Sequence, residues 1–235
     1  MSSSRSVGRP GARPRPRGGG APLRRLVALR PRTPDELHRF VQAAFGLDAT
    51  RTAVEPGSTP PFDYLCHAFF EPAHAPADAV VWACRGGGKT MLGAVATLLD
   101  LLFKPGVQVR ILGGSLEQSS KMHEHLLALL ERPLLAGVLA TPATRRRILL
   151  GHGSRAELLA GSQRSVRGSR VHKLRCDEVE AFDPDVWDAA QLVTRSGVCG
   201  GETVRGSLEA ISTMHRPYGL MSRLVGDAAA PRTPR

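Results

Sequence analysis

A chain of 235 residues, 42% hydrophobic and 23% charged, is long enough for one domain with a sizeable core. Its formal charge of +11 points at first to nucleic acid, but residues 1–34 hold nine arginines and no acid, residues 223–235 hold three arginines against one aspartate, and residues 35–222 are neutral overall. No run is long and apolar enough to span a membrane, and the head lacks the apolar centre of a secretory signal, which sets aside membrane-spanning and secreted classes.

Residues 1–32 are rich in Ser, Arg, Pro and Gly and are expected to form a disordered basic head. That head reads either as an arm on nucleic acid or as a bland extension. Arginine outnumbers lysine by 28 to 4, as a GC-rich coding sequence would also produce, so arginine content alone does not choose between them. The folded part is expected over 33–226, with a disordered tail at 227–235. Thr33-Pro34-Asp35-Glu36 predicts a helix start, with Leu37, Phe40, Val41 and Ala44 as its apolar stripe and Gly46 as its stop. Residues 47–61 read as loop and Phe62–Glu71 as a short aromatic-rich helix. A strand at 79–83, a glycine-rich loop and a helix at 90–103 follow, ended by Lys104-Pro105-Gly106.

Val107, Val109 and Ile111 alternate with polar residues and predict a second strand. Ser115-x-x-Gln118 is a capping box opening a helix to about Glu131, on which His123-Glu124-His125 reads as an exposed face rather than a zinc motif. Arg145–Leu150 and Ala156–Ala160 predict a hairpin around Gly151-His152-Gly153. Further strands are expected near 171–177 and 207–211. This order of elements points to an α/β fold with a mainly parallel sheet. The four cysteines, at 66, 84, 176 and 199, show no metal-ligand spacing, which reads as a reducing cytoplasm and no structural metal.

The chemistry concentrates in Ala83-Cys84-Arg85-Gly86-Gly87-Gly88-Lys89-Thr90, set between a strand and a helix. Glycines 86, 87 and 88 let backbone N–H groups converge on an anion, and the helix start adds its positive end. Lys89 has the reach for β- and γ-phosphates, and Thr90 carries a hydroxyl suited to Mg²⁺. Such a loop needs an acidic partner. Leu174-Arg175-Cys176-Asp177-Glu178 offers one, with Asp177 for the metal and Glu178 to polarise water. Two features count against it. Lys173 and Arg175 interrupt what is usually a solid apolar strand, and Glu180, Asp183, Asp185 and Asp188 make a surface acidic cluster the competing reading. Ser212 and Thr213, at the end of the last strand, are placed to sense a γ-phosphate.

Together these segments resemble the ATPase domain of the phage terminase large subunit, the DNA-packaging motor. Trp82 to Thr90 looks like its Walker A, with arginine before the glycines. Leu112-Gly113-Gly114-Ser115-Leu116-Glu117-Gln118-Ser119 looks like the segment after its second strand. Ser165-Val166-Arg167-Gly168 running into Leu174–Val179 looks like its Arg-Gly loop and Walker B, and Ile211-Ser212-Thr213-Met214-His215 looks like its coupling motif. The likeness spans about residues 33–225.

It implies an ASCE-type P-loop NTPase, a three-layer α/β/α fold that uses ATP and Mg²⁺. Gly86, Gly87, Gly88, Lys89 and Thr90 would bind nucleotide, Thr90 and Asp177 would hold the metal, and Glu178 would be the catalytic carboxylate. Arg85 would act on the γ-phosphate in cis, and Ser212 and Thr213 would couple hydrolysis to DNA movement. Implied partners are double-stranded DNA, the small terminase subunit and the portal protein, in a homo-oligomeric ring in the bacterial cytoplasm. Such terminases also carry a nuclease domain, for which this sequence has no room. A truncated or prophage-derived form is therefore expected. Another P-loop NTPase, helicase-like or in repair, and a non-hydrolysing remnant remain the alternatives.

Overall fold

The structure is a computed structural model, and its described residues are 20–159, 166 and 170–230. A six-stranded sheet carries the fold, in the order β1 (Ala79–Trp82), β8 (Ser207–Ser212), β5 (Lys173–Asp177), β2 (Gln108–Gly113), β4 (Arg155–Leu159), β3 (Arg147–Leu149). All neighbours pair in parallel except β3 and β4, which form the expected hairpin. β6 (Gly197–Cys199) and β7 (Glu202–Val204) make a separate two-stranded ribbon.

One face of the sheet is covered by α1 (Ala21–Ala28), α2 (Pro34–Phe45), α3 (Pro61–Phe70), α4 (Lys89–Phe103) and α5 (Leu116–Leu130), which share one core with Val109, Ile111 and Ile211 of the strands. The other face packs Leu174, Cys176, Leu208 and Ala210 against α6 (Pro184–Ala190) and α7 (Leu220–Ala229). The result is the three-layer α/β/α arrangement that the resemblance implies, built on the α/β sheet that the element order predicts.

Local chemistry sets the helix ends. The Thr33 hydroxyl accepts from the Glu36 N–H at 3.2 Å, Pro34 follows, and Gly46 closes α2 at φ 67°. Ser115 and Gln118 exchange both bonds of their capping box, at 3.1 and 3.2 Å, and start α5. Between β2 and α5 the chain turns so tightly that a Cβ on Gly113 would lie 2.5 Å from the Ser119 backbone nitrogen. Gly113→Ala is therefore expected to lower the unfolding free energy by about 1–3 kcal/mol, read from the urea midpoint.

Two boundaries are corrected. The expectation of disorder as far as Arg32 is overturned over Ala21–Ala28, which is helical, with Leu23 and Leu26 buried in the main core. Average composition over 1–32 hides this i, i+3 apolar pair, which lies behind Pro22 in the helix's first turn. At the other end α7 runs to Ala229, past the expected limit at 226. His123 is corrected as well. It is buried, its Nε2 lies 2.8 Å from the Thr144 carbonyl oxygen, and burial lowers its pKa. The Arg-Gly loop, apart from Val166, lies outside the described residues, as do residues 1–19 and 231–235.

The charged residues of β5 have a structural explanation. Lys173, Arg175 and Asp177 alternate with Leu174 and Cys176, and all five are buried. Arg175 donates to both Glu209 oxygens at 2.9 Å, to Asp100 at 2.7 Å and to the Thr97 hydroxyl at 3.2 Å. Lys173 bonds the Ser207 hydroxyl at 3.1 Å and pairs with Glu71 at 2.8 Å. Lys104 joins Glu71 and Asp100, each at 2.5 Å, and the Tyr64 hydroxyl donates to Glu209. Three cations face three carboxylates, so a strand buried on both sides carries charge without leaving it unpaired.

Candidate active site

Strand register brings the site together. Trp82 lies beside Ser212, Ile211 beside Asp177, and Asp177 beside Gly113, so β1, β8, β5 and β2 end at one rim of the sheet. Ligands of parallel α/β sheets bind at this rim. The glycine-rich loop leaves β1 there, tied down by the Ala83 N–H donating to the Ser212 carbonyl at 3.3 Å. Gly86 and Gly88 take φ of 75° and 73°, where an added Cβ would meet nothing within 4 Å. Backbone conformation, not space, demands glycine at both. Gly88 is also the N-cap of α4, so loop amides and the positive end of a fifteen-residue helix face the same point.

Around that point the side chains meet. The Lys89 ammonium, almost fully buried, pairs with Glu178 at 3.1 Å. The Thr90 hydroxyl donates to Asp177 at 3.4 Å. Glu178 also accepts from the hydroxyls of Ser212 at 3.3 Å and Thr213 at 3.4 Å, with His215 Nε2 3.8 Å away. Glu178 sits at φ 55°, ψ 50°, a left-handed conformation uncommon for a residue with a side chain.

The two carboxylates are driven apart electrostatically. Burial, then the neighbouring Glu178 charge, pushes Asp177 up to about 6. Burial also acts to raise Glu178, but the hydrogen bond and charge of Lys89, with the Ser212 hydroxyl, outweigh it and hold Glu178 below the usual range. Asp177 thus carries a charge that the protein compensates poorly. Beside the Thr90 hydroxyl it forms a pair of hard oxygen donors, which fits a magnesium ion.

Of the residues singled out from sequence, Lys89, Thr90, Asp177, Glu178, Ser212 and Thr213 are brought together, with Gly86, Gly87 and Gly88 around them. Arg85 is not. It is exposed and makes no ion pair or hydrogen bond among the described residues. Sequence reasoning misses His215 at the site and Glu180 beside it. His215 closes the segment that contains Ser212 and Thr213, which is its one sequence signal. Glu180 reads, with Asp183, Asp185 and Asp188, as surface charge. Asp183 instead caps α6 by accepting from the Asp185 N–H, and Glu180 accepts from the Met221 N–H at 2.8 Å.

No family model matches the chain, and neither does any curated protein. Among solved structures it is similar to the large terminase of bacteriophage HK97, with TM-score 0.59 and 20% identity over 81% of this chain and 41% of that one. The large terminase of a thermophilic bacteriophage is also similar, with TM-score 0.51 and 14% identity over 69% of this chain and 41% of that one. The chain thus spans about two fifths of the length of these proteins and shares the fold of that part. No helix among the described residues is long and apolar enough to cross a membrane.

Proposed function

We propose that this chain is a terminase-like ATPase domain that hydrolyses ATP to drive double-stranded DNA during phage genome packaging. The observation that carries the reading is the meeting of Lys89, Thr90, Asp177 and Glu178 where β1 and β5 end, in a fold shared with two large terminases.

In the proposed reaction the loop amides of Gly86, Gly87 and Gly88 hold the phosphates, and Lys89 leaves Glu178 for the β- and γ-phosphoryl oxygens. Thr90 and Asp177 would hold Mg²⁺, which would supply positive charge to offset the charge developing on the phosphoryl groups. Glu178, freed from Lys89, accepts the proton of the water that attacks the γ-phosphorus, and ADP leaves with the β–γ bridging oxygen. Ser212 and Thr213 keep the Glu178 carboxylate aimed. Arg85, exposed on the same loop, is the cation proposed to reach the γ-phosphate from outside.

The proposed setting is the cytoplasm of an infected or lysogenic bacterium. A small terminase subunit, a portal protein and further copies of the chain in a ring are the proposed partners. Support for DNA as a partner comes from Arg145, Arg146 and Arg147, three consecutive exposed arginines at the β3 edge. Replacing all three with alanine is expected to weaken DNA binding and to flatten its log–log salt dependence by up to about 3, measured by anisotropy titration across salt.

The test of the function is phosphate release from ATP with Mg²⁺, with and without duplex DNA. Turnover that rises with duplex DNA supports the proposal. Turnover indifferent to DNA would remove the packaging part, and strand separation by the chain would favour a helicase-like enzyme instead.

A further inference from the structure

The turn after β5 reaches beyond the reacting groups to the last helix. The Ser212 hydroxyl shares its proton between Glu178 at 3.3 Å and the Thr213 carbonyl at 3.0 Å, and accepts from the Glu180 N–H at 3.4 Å. One oxygen therefore joins the catalytic carboxylate to the backbone two residues further on. The Glu180 side chain turns away from that cluster toward α7. Its Oε2 accepts from the Met221 N–H at 2.8 Å, in the first turn of α7, where the helix dipole favours a negative charge. Its Oε1 is buried and has no hydrogen-bond partner among the described residues. The space it fills exists because residue 219 is glycine: a Cβ there would stand 1.7 Å from Oε1. Met221 is fully buried, and α7 packs on both the 179–181 turn and β1, the strand that delivers the glycine-rich loop.

We propose that Glu180 is a positioning residue that ties α7 to the Glu178 turn, so that the state of the nucleotide site is transmitted to α7. This rests on the nucleotide-binding reading above. In the structure Lys89 holds Glu178, and Glu178 holds Ser212. When phosphate draws Lys89 away, Glu178 loses its ion pair and its carboxylate is free to shift. The Ser212 hydroxyl, still bonded to that carboxylate, follows it, and the Glu180 N–H that donates to the same oxygen moves with it. The Glu180 carboxylate carries that displacement to the first turn of α7, which follows the Ser212-Thr213 segment in the chain.

The experiment is hydrogen exchange on the full chain, with and without a non-hydrolysable ATP analogue and Mg²⁺, alongside analogue affinity and steady-state hydrolysis. In the wild type, the analogue should change exchange in the first turn of α7. Glu180→Ala should speed exchange at Met221 by about tenfold without nucleotide, the factor expected for losing one charge-assisted hydrogen bond. It should also abolish the response to the analogue while leaving analogue affinity within about twofold, and lower kcat with KM unchanged. Gly219→Ala, which evicts the carboxylate from the other side, should reproduce this pattern. Glu180→Gln, which keeps an acceptor without the charge, should fall between Glu180→Ala and the wild type. The double variant Glu180→Ala/Gly219→Ala should be no worse than either single one, because both break the same contact. A wild-type chain that binds the analogue with α7 unchanged overturns the proposal, as does an intact α7 response in Glu180→Ala. A wild type that does not bind the analogue overturns the site reading itself, and this proposal with it.

Discussion

Glu178→Gln should bind ATP at least as tightly as the wild type and turn it over about 10²–10⁴ times more slowly. The amide keeps the size of the carboxylate and can still accept from Ser212 and Thr213, which lie 3.3 and 3.4 Å from Oε2. It cannot take a proton from water. It also cannot hold Lys89 by charge, and that pair, at 3.1 Å, must part before Lys89 reaches a phosphate. Relief of a partly exposed ion pair is worth up to about 1 kcal/mol, so affinity should rise by up to about fivefold. Lys89→Ala should behave oppositely. It removes a charged donor to the phosphates and should weaken binding by about 1.5–3 kcal/mol, roughly 10- to 150-fold. Isothermal titration with the analogue and phosphate release with ATP separate the two variants. If Glu178→Gln keeps more than about a tenth of wild-type turnover, Glu178 is not the base.

What the sequence makes legible follows from how local each signal is. The Thr33, Ser115 and Gly46 helix ends depend on a few adjacent residues, and they stand where the sequence puts them. The glycine-rich loop between β1 and α4 is equally local. The site partners are a different case: Asp177 and Ser212 lie 87 and more residues from Thr90 in the chain. They are legible because an acidic pair and a hydroxyl pair each end a strand, and parallel strands end together.

The residues that mislead are those whose meaning depends on distant partners. Lys173 and Arg175 weaken any one-dimensional picture of a buried strand, since Asp100, Glu71 and Glu209, which neutralise them, come from α4, the end of α3 and β8. Glu180 sits among acids that face solvent, and nothing in its neighbourhood announces that Gly219 leaves room for it. In α1, two buried leucines are outweighed by the arginines and glycines around them.

Arg175→Met is the second variant with a large expected effect, this time on stability. Arg175 is fully buried, and its guanidinium touches Glu209 and Asp100 together. Burial would act to lower its pKa, but those two carboxylates raise it well above the ordinary value. Methionine fills similar volume but leaves the Glu209 carboxylate with the Tyr64 hydroxyl as its one side-chain partner among the described residues, while Asp100 keeps Lys104. Removing one partner of a buried cluster costs about 3–5 kcal/mol, because the survivor keeps its desolvation cost without compensation. Arg175→Met should therefore lower the unfolding free energy by that amount, read from the urea midpoint at unchanged slope. Adding Glu209→Leu should restore more than half, since it removes the stranded charge. A loss below about 1 kcal/mol in the single variant would mean that water or rearrangement compensates Glu209, and the network would not hold β5 to α4 and β8.

The same cluster sets an acid limit. Burial acts to raise Asp100, but Lys104 and Arg175 outweigh it and hold it at about 2, below its ordinary 3.8; Glu71 is lowered by Lys104 and Lys173 against the same burial. Depressed carboxylates contribute stability that is complete above their unfolded values and is lost as pH falls through the folded ones. Asp100 alone should give up about 2 kcal/mol between about pH 4 and pH 2. Without Arg175 its carboxyl is held down less firmly, so acid unfolding of Arg175→Met, followed by circular dichroism, should begin at a higher pH than in the wild type.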